Sequence, residues 1–85
     1  MKLTNETASQ KVYDAAIARF TKAHDLWNGD IEMLTMHTKD YLDLVKIANL
    51  IDDDQMVKAM SKMYKLDTEV RDAIPQDVWD HCDKI

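Results

Sequence analysis

The sequence predicts an all-α fold, a small bundle of three main helices plus a short C-terminal one. Three observations lead there. The chain has 85 residues, enough for one domain with a thin core. It contains one Gly and one Pro, far below the usual share of roughly 12% for the pair, so hairpin-rich β folds have too few turn residues. Its apolar residues recur at three- and four-residue steps from one end to the other.

The first helix is expected to start after Thr4 or Asn5, either of which can accept a hydrogen bond from an exposed backbone N–H of the first turn. Glu6 follows at the end where a negative charge suits the helix dipole. Val12, Ala16, Phe20, Ala23 and Trp27 form one stripe, with Tyr13 and Ile17 beside it. Asn28-Gly29 ends this helix, with Gly29 suited to positive φ. Asp30 then caps a second helix at once, and so short a connection makes the two antiparallel neighbours.

From Ile31 to Ile51, twelve of twenty-one residues are apolar. One seam runs Ile31, Leu34, Thr38, Tyr41, Val45, Ala48, and a second set is Met33, Leu44, Ile47 and Ile51. Apolar residues on more than one face mark a central helix. It is therefore expected to be the most buried element, with Leu34, Tyr41, Val45 and Ala48 interior.

Asp52-Asp53-Asp54-Gln55 reads as the next boundary, with Asp52 as N-cap and Gln55 three residues on in a capping-box-like pair. Ala59, Met63, Leu66, Val70 and Ala73 keep one helical spacing, which predicts a continuous third helix past Asp67. Pro75 disfavours helical geometry at Ile74 and suits the first turn of a fourth helix, about Pro75 to Asp83, carrying Val78, Trp79, Cys82 and Ile85 on one side.

The motifs of known chemistries fail one by one. His24, His37 and His81 share no i,i+4 face, and no Cys-x-x-Cys is present. The run from Asp52 has Val57 and Met63 where a calcium loop needs Gly and Glu. Ser9 and Ser61 lack a Gly-rich elbow, and one Gly cannot build a phosphate cradle. Cys82 beside His81 has no evident activating base. No enzyme activity, metal or cofactor is expected.

Sixteen acidic against eleven basic residues give a net charge of −5, which opposes direct nucleic-acid binding. The excess lies toward the C-terminus, the net charge running +1, −2 and −4 over residues 1–29, 30–51 and 52–85. No apolar run resembles a secretory leader or a membrane span, and one Cys excludes an internal disulfide, so the cytoplasm is the expected compartment.

What remains is a surface for another protein. Met33, Met36, Met56, Met60 and Met63 lie on the second and third helices, and Met is over-used on adaptable binding surfaces as well as in core gaps. Met56, Met60, Met63 and Trp79 are the candidate partner-binding residues, and the acidic C-terminal half implies a basic partner. The expected function is that of an inhibitor, modulator or accessory factor acting on another protein. The alternative is a self-associating structural protein, driven by the broad apolar surface of the second helix.

Thr38-Lys39-Asp40-Tyr41-Leu42, Ile51-Asp52, Val57, Ile74-Pro75 and Val78-Trp79 partly resemble the Hha/YmoA family of small helical modulators of nucleoid proteins, over about half of the chain. The chain departs from that pattern in having a full helix ahead of Thr38 and no room between Leu66 and Ile74 for the family's long third helix. The resemblance implies a protein-binding modulator and assigns no residue. In size and acidity the chain also resembles the small helical proteins that phages and mobile elements use to modulate other proteins.

Overall fold

A computed structural model describes the backbone of residues 3–26 and 31–83, and the side chains of residues 3–22 and 35–83. It is a small all-α bundle of five helices, with no strand among the described residues: α1 (Asn5–Leu26), α2 (Ile31–Asp52), α3 (Met56–Tyr64), α4 (Thr68–Ala73) and α5 (Gln76–Cys82). The expectations for the Asn28-Gly29 turn, the Asp30 cap, Trp27 and Ile85, and for the side chains of Ala23, His24, Ile31, Met33 and Leu34, lie outside the described residues.

Thr4 starts α1, its Oγ1 accepting the Thr7 N–H at 3.1 Å while its carbonyl accepts from Ala8 at 2.9 Å. α1 and α2 run antiparallel. Ser9 Oγ donates to the Ala48 carbonyl at 2.7 Å, and farther along Arg19 meets Asp40 at 3.8 Å. The short helices spread along this hairpin: α5 meets the start of α1 through Lys11–Asp77 and Asn5–His81, whereas α4 reaches Arg19, whose Nη1 donates to the Glu69 carbonyl at 3.4 Å. Ala8, Val12 and Ala16 of α1 meet Leu44, Ile47, Ala48 and Ile51 of α2, and Met56, Ala59, Met63, Val70, Ile74, Val78 and Cys82 close the core.

The buried seam of α2 corrects the expectation. Its core is the second set, Leu44, Ile47 and Ile51, together with Ala48, whereas Tyr41 and Val45 are only half-buried. The Tyr41–Val45 seam sits against the flank of α1, where Tyr41 packs on Phe20 with ring centroids 5.2 Å apart. Tyr13 and Ile17, beside the α1 stripe, are exposed.

The boundary after α2 also differs. Asp52 ends α2 rather than capping α3, and Gln55, the N-cap of α3, makes no side-chain cap bond. Asp54 takes φ 62°, in the left-handed region. Its N–H reaches Ile51 O at 3.0 Å, and the next N–H, of Gln55, reaches Leu50 O at 2.8 Å. That pair of bonds is a Schellman C-cap, with Asp in the place usually held by Gly. Asp tolerates this conformation better than most residues, because its short side chain finds a local polar partner, and here Asn5 Nδ2 donates to Asp54 Oδ1 at 3.1 Å.

The expected continuous third helix is two helices. α3 ends in tightened i→i−3 bonds, Lys65 to Lys62 and Leu66 to Met63, and Asp67 is extended at φ −61°, ψ 152° before α4 begins. Leu66 and Val70 kept helical spacing across this break because both sides of it face the same core. The final boundary is as expected: Ile74 is extended at ψ 123°, and Pro75 at φ −59° opens α5.

Candidate functional site

α3 carries two adjacent apolar stripes. Met56, Ala59 and Met63 face inward and are buried. One position later, Val57, Met60 and Tyr64 form an outer stripe, with Val57 67% and Tyr64 62% exposed. The four residues picked from the sequence therefore separate. Met63 is wholly buried and Met56 is 8% exposed, so both fill the core. Met60 and Trp79 are half-buried and come together on the surface.

They meet in a groove of about 380 Å³ where α3, α4 and α5 converge, lined by Met60, Tyr64, Trp79, Arg71, Asp72 and Asp80, with Asp83 also at its edge. The break at 65–67 turns α4 and α5 back beside α3 and so creates the groove. Tyr64 and Trp79 pack at a tilt, ring centroids 5.4 Å apart and planes at 56°, the geometry that aromatic quadrupoles favour. Trp79 is partly buried and packs against the core, which Val78 and Cys82 of the same helix help to form. The rim carries three Asp carboxylates against one Arg guanidinium. Arg71 reaches back to Thr68 Oγ1 at 3.4 Å, and Asp80 accepts from Gln76 at 3.1 Å.

The sequence reading passed over Tyr64, Asp72 and Asp80 as site residues. The outer stripe Val57–Met60–Tyr64 was visible as i, i+3, i+7 spacing on α3. The contribution of α4 was not, since it depends on the break before Thr68.

Of the side chains considered for chemistry, Cys82 and His81 are held within the fold. Cys82 is buried, and burial pushes its thiol above the ordinary value. His81 Nε2 lies 2.8 Å from Asn5 Oδ1. Burial raises the Asp40 carboxyl and outweighs the attraction of Arg19 and His37. Among the described residues, no group of three His, Cys, Asp or Glu side chains is placed to hold a metal ion, and no helix is long and apolar enough to cross a membrane. No protein-family model, no curated protein and no solved structure matches the chain.

Proposed function

We propose that this small helical protein acts in the cytoplasm by binding another protein, as an inhibitor, modulator or accessory factor, through the α3–α5 groove. The observation that carries this reading is the combination in one groove of Met60 and the Tyr64–Trp79 pair with three Asp side chains. Large aromatics give most binding energy per residue at interfaces, and Met adapts to the shape of what it meets. A rim of three Asp and one Arg favours a partner that is basic around an apolar anchor. An amphipathic helix with one large apolar side chain flanked by Lys or Arg has that form.

The test is capture from the native cell with a photo-crosslinking residue at Tyr64, followed by binding measurements on Trp79→Ala and Tyr64→Ala. Tyr64 is 62% exposed, so its replacement leaves the core intact. A partner held less tightly by Tyr64→Ala at an unchanged melting temperature, and less tightly at high salt, supports the groove. A crosslinked partner that binds Tyr64→Ala and Trp79→Ala as tightly as the parent chain would remove it. A second reading, self-association, rests on a different surface of the molecule, the outer side of α1 and α2.

A further inference from the structure

We propose that the α3–α5 groove takes an arginine side chain of the partner, its guanidinium laid on the Tyr64–Trp79 pair and its N–H groups turned to the Asp carboxylates. This rests on the groove being the partner-binding surface, and it names the side chain that the groove selects.

The rings are available to a cation. Tyr64 and Trp79 are tilted at 56° with centroids 5.4 Å apart, and a tilted pair leaves open ring face that a stacked pair would cover. Tyr64 is 62% exposed. The face of an aromatic ring is negative and attracts a cation within about 6 Å of its centroid. Among the described residues the chain lays no Lys or Arg of its own on this pair, the ring contacts being Phe20–Tyr41 and Tyr64–Trp79.

The carboxylates beside the rings are also uncommitted. Asp72 comes from α4, Asp80 from the last turn of α5, and Asp83 is the C-cap of α5. Three carboxylates against the single guanidinium of Arg71 leave the groove with a net charge of −2. Arg71 Nη2 reaches Thr68 Oγ1 at 3.4 Å, within its own helix. None of the three Asp side chains forms an ion pair with a described residue, whereas Asp77 pairs with Lys11 at 2.6 Å and Asp40 with Arg19 at 3.8 Å. Asp80 accepts from the Gln76 amide through one oxygen, and the other remains for a second donor.

A guanidinium suits two such walls better than an ammonium does. It is flat, so its face stacks on a ring while its five N–H groups, lying in its plane, reach outward to carboxylates. It is also less strongly hydrated and loses less on leaving water. An ammonium is a compact, strongly hydrated point charge, and donors that it turns to a ring are lost to the carboxylates. With the arginine on Tyr64 and Trp79, the partner's apolar anchor falls on Met60 and Val57, farther along the same stripe of α3.

The test is a titration of the full chain at low salt with N-acetyl-arginine amide, read from the probe's own proton NMR signals. Its δ-methylene protons should move upfield, as ring currents require of a group held over a ring face, with a Kd of about 10 mM. N-acetyl-lysine amide should bind at least about threefold more weakly. N-acetyl-citrulline amide, which keeps the shape without the charge, should not saturate below about 100 mM. Tyr64→Leu, and separately the double exchange Asp72→Asn, Asp80→Asn, should each weaken the arginine probe at least about fivefold. All three positions are exposed, so the melting temperature should hold. Tyr64→Phe should keep the affinity, and so should Asp53→Asn, an exposed acid outside the groove. An arginine probe without saturable binding below about 100 mM overturns the proposal. So does equal affinity for the lysine or citrulline probe, indifference to Tyr64→Leu or to the double exchange, or a loss in Asp53→Asn as large as theirs. If the probe fails while a captured partner still loses affinity in Tyr64→Ala, the arginine is wrong and the groove stands. If the probe binds as expected while the captured partner ignores Tyr64→Ala, the arginine site stands and the partner docks elsewhere.

Discussion

Asn5 and His81, at opposite ends of the chain, are joined side chain to side chain at 2.8 Å. The same Asn5 amide donates to Asp54 at 3.1 Å. A carboxylate can only accept, so the Asn5 nitrogen points at Asp54 and its oxygen at His81, and Nε2 of His81 carries the hydrogen. One amide thus ties α1 to the α2–α3 turn and to α5. Asn5→Ala should cost about 1–2 kcal/mol in urea denaturation, since two net hydrogen bonds are lost. A double-mutant cycle with His81→Ala should show non-additivity, because both replacements break the same bond.

Asp54 is the other end of that relay, and its backbone conformation sets a second expectation. At φ 62° a Cβ is costly unless the side chain is short and polar. Asp54→Ala should therefore destabilise by about 1–2 kcal/mol. Asp54→Asn keeps both an acceptor for Asn5 and tolerance of the left-handed region, and should be near neutral. Asp54→Gly should fall between them. Thermal melting of the three variants orders them.

The two seams of α2 differ in energy by what covers them in one chain. Leu44 is wholly buried, so Leu44→Ala should cost about 2–5 kcal/mol through lost transfer and a residual cavity. Val45 is half-buried, and Val45→Ala should cost less than half as much. Equal losses in denaturant titrations would mean that the Val45 seam is as fully covered as the core.

Lys11 and Asp77 link α1 to α5 at 2.6 Å. The hydrogen bond from Lys11 holds the Asp77 carboxyl below its ordinary 3.8, against a smaller opposing effect of burial. The native state then releases this proton more readily than the unfolded chain. Its stabilising contribution is full above about pH 4 and is lost as pH falls through the lowered native value. Lys11→Met should shift the acid-unfolding midpoint to slightly higher pH and leave the neutral melting temperature nearly unchanged, since both side chains are largely exposed.

Cys82 provides a probe of opening. It is 1% exposed, and burial raises its thiol above the ordinary 9.0. The native state favours the protonated thiol, so this group supports folding below its unfolded value and loses that support as pH rises through the native one. At pH 8 a disulfide reagent should label the folded chain at the rate of opening of α5, and at once in denaturant. Immediate labelling of the folded chain would place Cys82 on the surface.

The sequence by itself determined the all-α class and several helix ends. Thr4 caps α1 and Pro75 opens α5 for reasons local to a few bonds: exposed N–H groups need an acceptor, and a ring fixes φ. Met60 and Trp79 could be chosen by residue type alone, because Met is over-used on adaptable binding surfaces and large aromatics dominate interface hot spots. Helical spacing also announced that α2 is apolar on two faces. It could not say which face the short helices cover, because periodicity fixes angles about a helix's own axis and carries no information about its neighbours. Only the tertiary structure decided that Leu44, Ile47 and Ile51 go inside and that Tyr41 and Val45 lie at the flank. It decided too that Met56 and Met63 are core while Met60 and Tyr64, one stripe over, line a groove. The break at 65–67 and the left-handed Asp54 belong to the same class. An apolar rhythm passes through a bend when both sides of the bend bury against one core, and Asp takes a strained turn when Asn5, distant in sequence, is there to meet it.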